Sequence, residues 1–174
     1  MSPDSPAIVV RDARPDEFAA VGALMLAAYD EYRPMAPPDL WEPYAQSIAD
    51  VQSRAADSTL IVAEVGGELA GAVTYYPDGS RGENWPTDHA AIRLLAVHPN
   101  HRGLGLGRVL MQEAIRRARA DRRRCLGLHT TSLMATAKAM YLRMGFTRRT
   151  ETDMQYGPIA IEGYSLELEL GRPG

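Results

Sequence analysis

What the sequence lacks narrows its function first. A single cysteine, Cys125, stands among 174 residues, which excludes an internal disulfide and a zinc cluster built from several thiolates. No apolar run approaches the roughly 20 residues of a membrane-crossing helix, so no membrane partner is expected. Met1–Val10 has neither the basic start nor the apolar core of a secretory leader, and the expected location is the cytoplasm. The net charge is only −3, so no global basic field gathers nucleic acid. Lysine occurs once, at Lys138, so arginine supplies 18 of the 19 basic residues (19 − 1); that bias reads as genome composition rather than function. Repeats and low-complexity segments are missing too.

What is there is an ordinary globular composition, 45% hydrophobic and 24% charged. The length suits one domain over residues 1–174 with a sizeable core. The chain is organised around Ala90–Ala120. Ile92–Val97 is short and apolar with β-branched ends, as a buried strand requires. His98–Leu104 breaks that pattern with a proline, an asparagine and a glycine. Beyond it, Leu106, Leu110, Met111, Ala114, Ile115 and Ala118 recur at steps of three and four, one stripe of an amphipathic helix.

A strand, a glycine-rich turn and a helix start together make an anion site. The first N–H groups of a helix lack partners within it, and the helix dipole adds partial positive charge there. Gly103, Gly105 and Gly107 would let a phosphate come close to the backbone, and Arg102 and Arg108 add charge-assisted hydrogen bonds. A P-loop needs Gly-Lys-Ser/Thr at this place, and a Rossmann turn needs G-x-G-x-x-G with an acidic residue after the next strand. The sequence has neither.

Elsewhere the chain alternates clearly. Ile8–Val10 reads as a strand, and Pro15 opens a helix whose stripe is Phe18, Val21, Leu24, Met25, Ala28, Tyr29 and Tyr32. Three prolines between Arg33 and Pro38 end it. A second helix is expected over Asp39–Ala55, and Tyr29, Tyr32 and Trp41 read as core or lid packing, with lining of the acceptor site as the alternative. Thr59–Val65 and Leu69–Tyr76 form a hairpin about Gly66-Gly67. Pro77–Asp88 is a polar loop long enough to be mobile or to cover a site. Cys125–Thr130 is a buried strand, and Thr136–Met144 a short helix ending at Gly145. Phe146–Arg149 and Tyr164–Leu170 are the last strands, the second with Tyr164 and the leucines inward and Ser165, Glu167 and Glu169 outward.

Arg102-Gly103-Leu104-Gly105-Leu106-Gly107 fits R/Q-x-x-G-x-G/A. With the preceding Leu95-Ala96-Val97-His98-Pro99, it resembles the acetyl-CoA-binding core of the GNAT acyltransferase superfamily. The order of elements resembles the whole GNAT fold, although the first half matches in element order only. The resemblance implies an α/β fold with one mixed sheet of about six to seven strands and about four helices, its fourth and fifth strands splayed. It implies acetyl-CoA as acetyl donor and no metal. Leu95, Ala96 and Val97 would hold the pantetheine arm through their backbone. Arg102, Gly103, Leu104, Gly105, Leu106, Gly107 and Arg108 would hold the pyrophosphate.

A second signature, Ala137-x-x-x-Tyr141-x-x-x-Gly145-Phe146, is similar to the family pattern N-x-x-A-x-x-x-Y-x-x-x-G-F. Acyl transfer to an amine needs a neutral nucleophile, donors for the oxyanion and a proton for the departing thiolate. The resemblance makes Tyr141 the acid and puts the oxyanion donor on the backbone near Leu95 or Val97. Two positions depart from the family. Its asparagine is Met134 here, and the glutamate base that some members carry early in the fourth strand is Ala91. His129 is the first candidate for that base, with Glu83, Asp88 and His89 as further options. The expected reaction is N-acetylation of a small-molecule or peptide amine by direct attack. The alternative is a CoA-binding sensor without chemistry, and a homodimer is an assembly common in such proteins.

Other features read more plainly. His98-x-x-His101 lacks a third metal ligand. Cys125 and His129 share one face of a strand, which is packing rather than a thiol nucleophile. The block Arg116, Arg117, Arg119, Arg122, Arg123 and Arg124 solvates a helix end, where cations favour the dipole; no nucleic acid is expected.

Overall fold

The computed structural model describes residues 5–170. Its strands are β1 (Ile8–Asp12), β2 (Thr59–Val65), β3 (Glu68–Tyr76), β4 (His89–Val97), β5 (Cys125–Thr130), β6 (Thr147–Arg148), β7 (Met154–Tyr156) and β8 (Ile159–Glu167). Its α-helices are α1 (Phe18–Tyr29), α2 (Pro38–Ala49), α3 (Val51–Arg54), α4 (Leu106–Ala120) and α5 (Ala135–Arg143). The sheet runs β1-β2-β3-β4-β5-β8-β6, with β7 paired to β8. β4 and β5 are parallel, and their pairing covers only His89–Ala91 against Cys125–Gly127. This is the mixed α/β sheet with a short β4–β5 pairing that the splayed arrangement calls for, with eight strands and five α-helices among the described residues.

Several boundaries differ from expectation, each for a local reason. The second helix breaks at Asp50, whose carboxylate accepts a hydrogen bond from the Ser53 N–H at 3.1 Å and caps α3 instead of continuing α2. The first helix stops at Tyr29 and tightens into a 3-10 turn over Asp30–Met35 that carries Pro34. The last strand begins at Ile159, because Gly163 is no breaker here. A Cβ at Gly163 would run into the Thr152 side chain, so the glycine marks a close approach inside the strand. That strand also buries Ser165 along with Tyr164, so its expected in-and-out alternation does not hold. β7 was not anticipated; it pairs with β8 across a two-residue turn at Gly157-Pro158.

The chain divides into two compact units. Among the described residues, the first takes residues 5–74 together with Leu94–Glu113; the second takes Tyr75–Arg93 and residues 114–170. In the first, α1 packs on α2, and a Cβ at Gly22 would stand 2.8 Å from the Ala49 carbonyl oxygen. Its core holds Val21, Met25, Ile48, Ile61, Val62, Leu106, Leu110 and Met111, each at most 1% exposed. In the second, β8 pairs antiparallel with β5 along all six β5 residues, Cys125–Thr130. There Leu126 and Leu128 are fully buried, and the Tyr75 hydroxyl donates to Asp121 at 2.7 Å. No helix among the described residues is long and apolar enough to cross a membrane.

Candidate active site

The turn after β4 is built from the strand outward. The His98 N–H donates to the Ala70 carbonyl at 2.8 Å, which ends β4 beside β3. The His98 ring accepts from the Asn100 N–H at 3.1 Å and starts a 3-10 turn over Pro99–His101. Gly103 and Gly105 then take φ of +84° and +77°, and a Cβ at either would meet nothing within 4 Å. The Gly105 carbonyl accepts the Val109 N–H at 3.1 Å, so the helix begins here. The N–H groups of the first α4 turn are left to an outside acceptor by helix geometry. Gly107 lies in the first turn of α4, two residues past Gly105.

Arg102 is occupied within its own unit. Its guanidinium donates to Glu31 at 2.9 and 3.2 Å and to the Ala28 carbonyl at 3.3 Å. Leu95 also has a partner: its carbonyl accepts from the Tyr29 hydroxyl at 3.2 Å. Tyr29 is buried and meets Tyr32 and Tyr44 edge to face. Just before, Leu94 takes φ of +59° within β4. A leucine in the left-handed region costs about 1–3 kcal/mol and is characteristic of functional sites.

The second unit carries the polar groups. The loop before β4 is tied down at several points. Asp78 caps its first turn, and the Trp85 ring, 2% exposed, lies where a Cβ on Gly127 would collide with it. The Arg124 N–H closes the loop onto Asp88 O at 2.9 Å, and the Arg123 guanidinium donates to Thr87 O at 3.1 Å. Two members of the arginine block therefore hold structure rather than only solvating a helix end. Trp85 sits between two imidazoles, stacked on His89 at 5.9 Å and tilted against His129 at 5.2 Å.

His129 is 4% exposed in its side chain, and its Nε2–H donates to the Thr152 carbonyl at 2.8 Å. Its Nδ1 lies 3.0 Å from a Glu83 carboxylate oxygen, yet makes no aligned hydrogen bond. The other Glu83 oxygen accepts from Arg93 Nε at 2.9 Å. Sequence reasoning named Glu83 only as an option and missed Arg93. The available signal was a lone arginine within the apolar run Ile92-Arg93-Leu94-Leu95. His89 Nδ1 bonds Asp88 at 2.7 Å, which holds that carboxyl below its usual range. His89 Nε2, Trp85 Nε1 and Thr130 Oγ1 are buried without a hydrogen-bond partner. Nearby, Asp153 is pushed down to about 2 by the Arg148 guanidinium and the Gly163 N–H.

Tyr141 is buried in the second unit, its ring 5.8 Å from that of Phe146. Gly145 follows α5 with φ of +97°, the expected helix-ending conformation. Met134 is the N-cap of α5 and makes no side-chain cap, so the departure from the family's asparagine falls on a capping position. Burial pushes the Cys125 thiol up, which suits a packed side chain and not a nucleophile. Among the described residues no three histidine, cysteine or acidic side chains gather as a metal site.

A sequence model of the Acetyltransferase (GNAT) family matches residues 19–146, well over half of the chain. The chain belongs to the GNAT family. Streptothricin acetyltransferase of Streptomyces lavendulae is 39% identical to this GNAT chain over 111 residues, covering 62% of it and 54% of that protein. Mycothiol acetyltransferase of Cellulomonas flavigena is 31% identical over 122 residues, 63% of the chain and 34% of that protein. The chain thus spans about half and about a third of the length of these curated relatives. A PaiA N-acetyltransferase of Thermoplasma acidophilum, solved in complex with coenzyme A, shares the fold with a TM-score of 0.72 at 12% identity, over 90% of the chain and 98% of that protein.

Proposed function

We propose that the chain is an acetyl-CoA-dependent N-acetyltransferase acting on a primary amine by direct attack, and that residues 1–174 work as one GNAT domain in the cytoplasm. The observation that carries this reading is the open turn at Gly103 and Gly105 at the head of a 15-residue helix. It has the room and the unpaired N–H groups that a pyrophosphate needs. Acetyl-CoA supplies an activated thioester.

Leu104, Leu106 and Gly107 offer backbone to the pyrophosphate, and Arg108 adds charge. Arg102 serves there by exchanging Glu31 for phosphate oxygens. Leu95, Ala96 and Val97 bind the pantetheine arm through their backbone, with the Leu94 kink setting the direction of those N–H groups. Tyr141 gives a proton to the departing thiolate. His129 is the base that takes the amine proton; its Nε2–H donates to the Thr152 carbonyl at 2.8 Å. The names of the two curated relatives favour a small-molecule acceptor over a peptide.

The test is thiol release from acetyl-CoA with streptothricin, spermidine and lysine methyl ester as acceptors. Tyr141→Phe should lower transfer by about 100-fold or more, the contribution typical of a general acid, while acetyl-CoA still stabilises the protein to the same degree. Stabilisation by acetyl-CoA with no turnover of any amine would instead favour the CoA-binding sensor, which Met134 and Ala91 keep in view.

A further inference from the structure

We propose that Glu31 competes with the CoA pyrophosphate for Arg102: its carboxylate fills the guanidinium fork as a phosphate would, and the ligand must displace it. The inference rests on the acetyl-CoA reading and adds the regulation of that cradle by a residue outside it. Every group in the argument belongs to the first compact unit.

Local structure brings the pair together from both sides. α1 ends at Tyr29, and the 3-10 turn that follows opens with Asp30 and Glu31. The Tyr29 hydroxyl donates to the Leu95 carbonyl at 3.2 Å, which fixes the end of α1 against β4. Arg102 closes the turn after β4 in an extended conformation, φ −71° and ψ 154°, directly ahead of Gly103. Its side chain therefore starts one residue from the open cradle and reaches Ala28 and Glu31.

The contact has the form of a phosphate contact. One terminal nitrogen of Arg102 lies 2.9 Å from Oε1 of Glu31 and the other 3.2 Å from Oε2, so the planar fork meets two oxygens at once. Guanidinium groups make that two-pronged match with carboxylate and phosphate alike. The Ala28 carbonyl takes a further N–H at 3.3 Å. Asp30 turns instead to Arg33, at 4.0 Å. Tyr32 borders both charges: burial and then the Glu31 carboxylate push its hydroxyl up, and Arg102 lowers it.

Magnitudes make the pair a competitor and not a lock. Its side chains are 44% and 45% exposed, and an ion pair this open shifts an equilibrium by about fivefold or less. A pyrophosphate brings more charge and more oxygens than one carboxylate, and the head of α4 adds its own N–H groups. The ligand therefore wins the guanidinium, with its affinity lowered by the bonds that Glu31 gives up. A carboxylate that merely held the fork ready would act the other way, and its removal would weaken binding. The two roles differ in sign.

The test is calorimetric titration of CoA into the wild type, Glu31→Gln, Arg102→Gln and the double variant at low ionic strength, where exposed charges count most. Glu31→Gln should bind CoA about twofold to fivefold more tightly than the wild type. That gain should shrink or vanish in the Arg102→Gln background, because the carboxylate then has no guanidinium to withhold. Unfolding temperatures without ligand report that each variant is folded. An affinity of Glu31→Gln equal to or below that of the wild type overturns the proposal and makes Glu31 a positioning residue. A gain as large without Arg102 as with it overturns it too, since plain repulsion between Glu31 and the ligand then explains the gain. If Arg102→Gln binds no CoA, a crystal structure of the wild type with CoA decides, and an intact Arg102–Glu31 pair there overturns the exchange. A wild type that binds no CoA overturns the cofactor reading itself, and the exchange with it.

Discussion

Two glycine-bearing connections flank β4, and they use glycine for opposite ends. After the strand, Gly103 and Gly105 hold positive φ and face open space for 4 Å around. Before it, Gly79 and Gly82 are pressed by aromatic side chains: a Cβ would stand 2.8 Å from Trp85 Cβ and 2.7 Å from the Tyr76 ring. Gly127 on β5 completes that second pattern by leaving room for the Trp85 indole. An open glycine leaves room for a ligand, whereas a crowded one has already been filled by the protein. The first connection therefore stays open, and the second is a clamp that fixes the loop carrying Glu83.

Substitutions break this comparison in different observables. The largest effect is expected at Gly105→Glu, which puts a carboxylate where a pyrophosphate would lie. At about 100 times its dissociation constant, acetyl-CoA stabilises the wild type by roughly 2.7 kcal/mol in thermal unfolding, and the variant should lose all of it. Gly105→Ala separates the block from backbone strain, which costs about 1–2 kcal/mol by itself. Next comes Gly127→Ala, which should destabilise the apo protein by about 1–3 kcal/mol through overpacking against Trp85, seen as a lower unfolding temperature and altered tryptophan fluorescence. The acetyl-CoA increment of that variant should stay as in the wild type. A Gly127→Ala protein of unchanged stability would mean that the clamp is not tight.

The smallest effect is expected at Met134→Asn. The head of α5 has no side-chain cap, and an asparagine there should raise stability by about 1 kcal/mol in a denaturant titration. Unchanged stability would show that the N–H groups of the first α5 turn are already satisfied.

Much of this was legible in the residues. The strand-turn-helix at Ile92–Ala120, the Gly66-Gly67 hairpin and the Cys125–Thr130 strand all form where local pattern puts them. These are short-range signals, written in the φ demands of glycine and the spacing of apolar side chains. The errors came where a distant partner overrides the local rule. The last strand is expected from Tyr164 but begins at Ile159, with Gly163 pressed against Thr152, and the polar loop Pro77–Asp88 shows Trp85 seated against Gly127. The pairing of Arg102 with Glu31, far off in sequence, is likewise visible only in the fold.

By itself, then, the sequence determined most of the order of elements, the glycine turn after β4 and the place of Tyr141 near the end of α5, because periodicity and turn chemistry act over a few residues. Tertiary structure alone decided which polar groups meet. Glu83, Arg93, His129 and Thr152 come from a loop, two strands and a turn spread over 70 positions (152 − 83 + 1). Only the fold brings these four groups into contact.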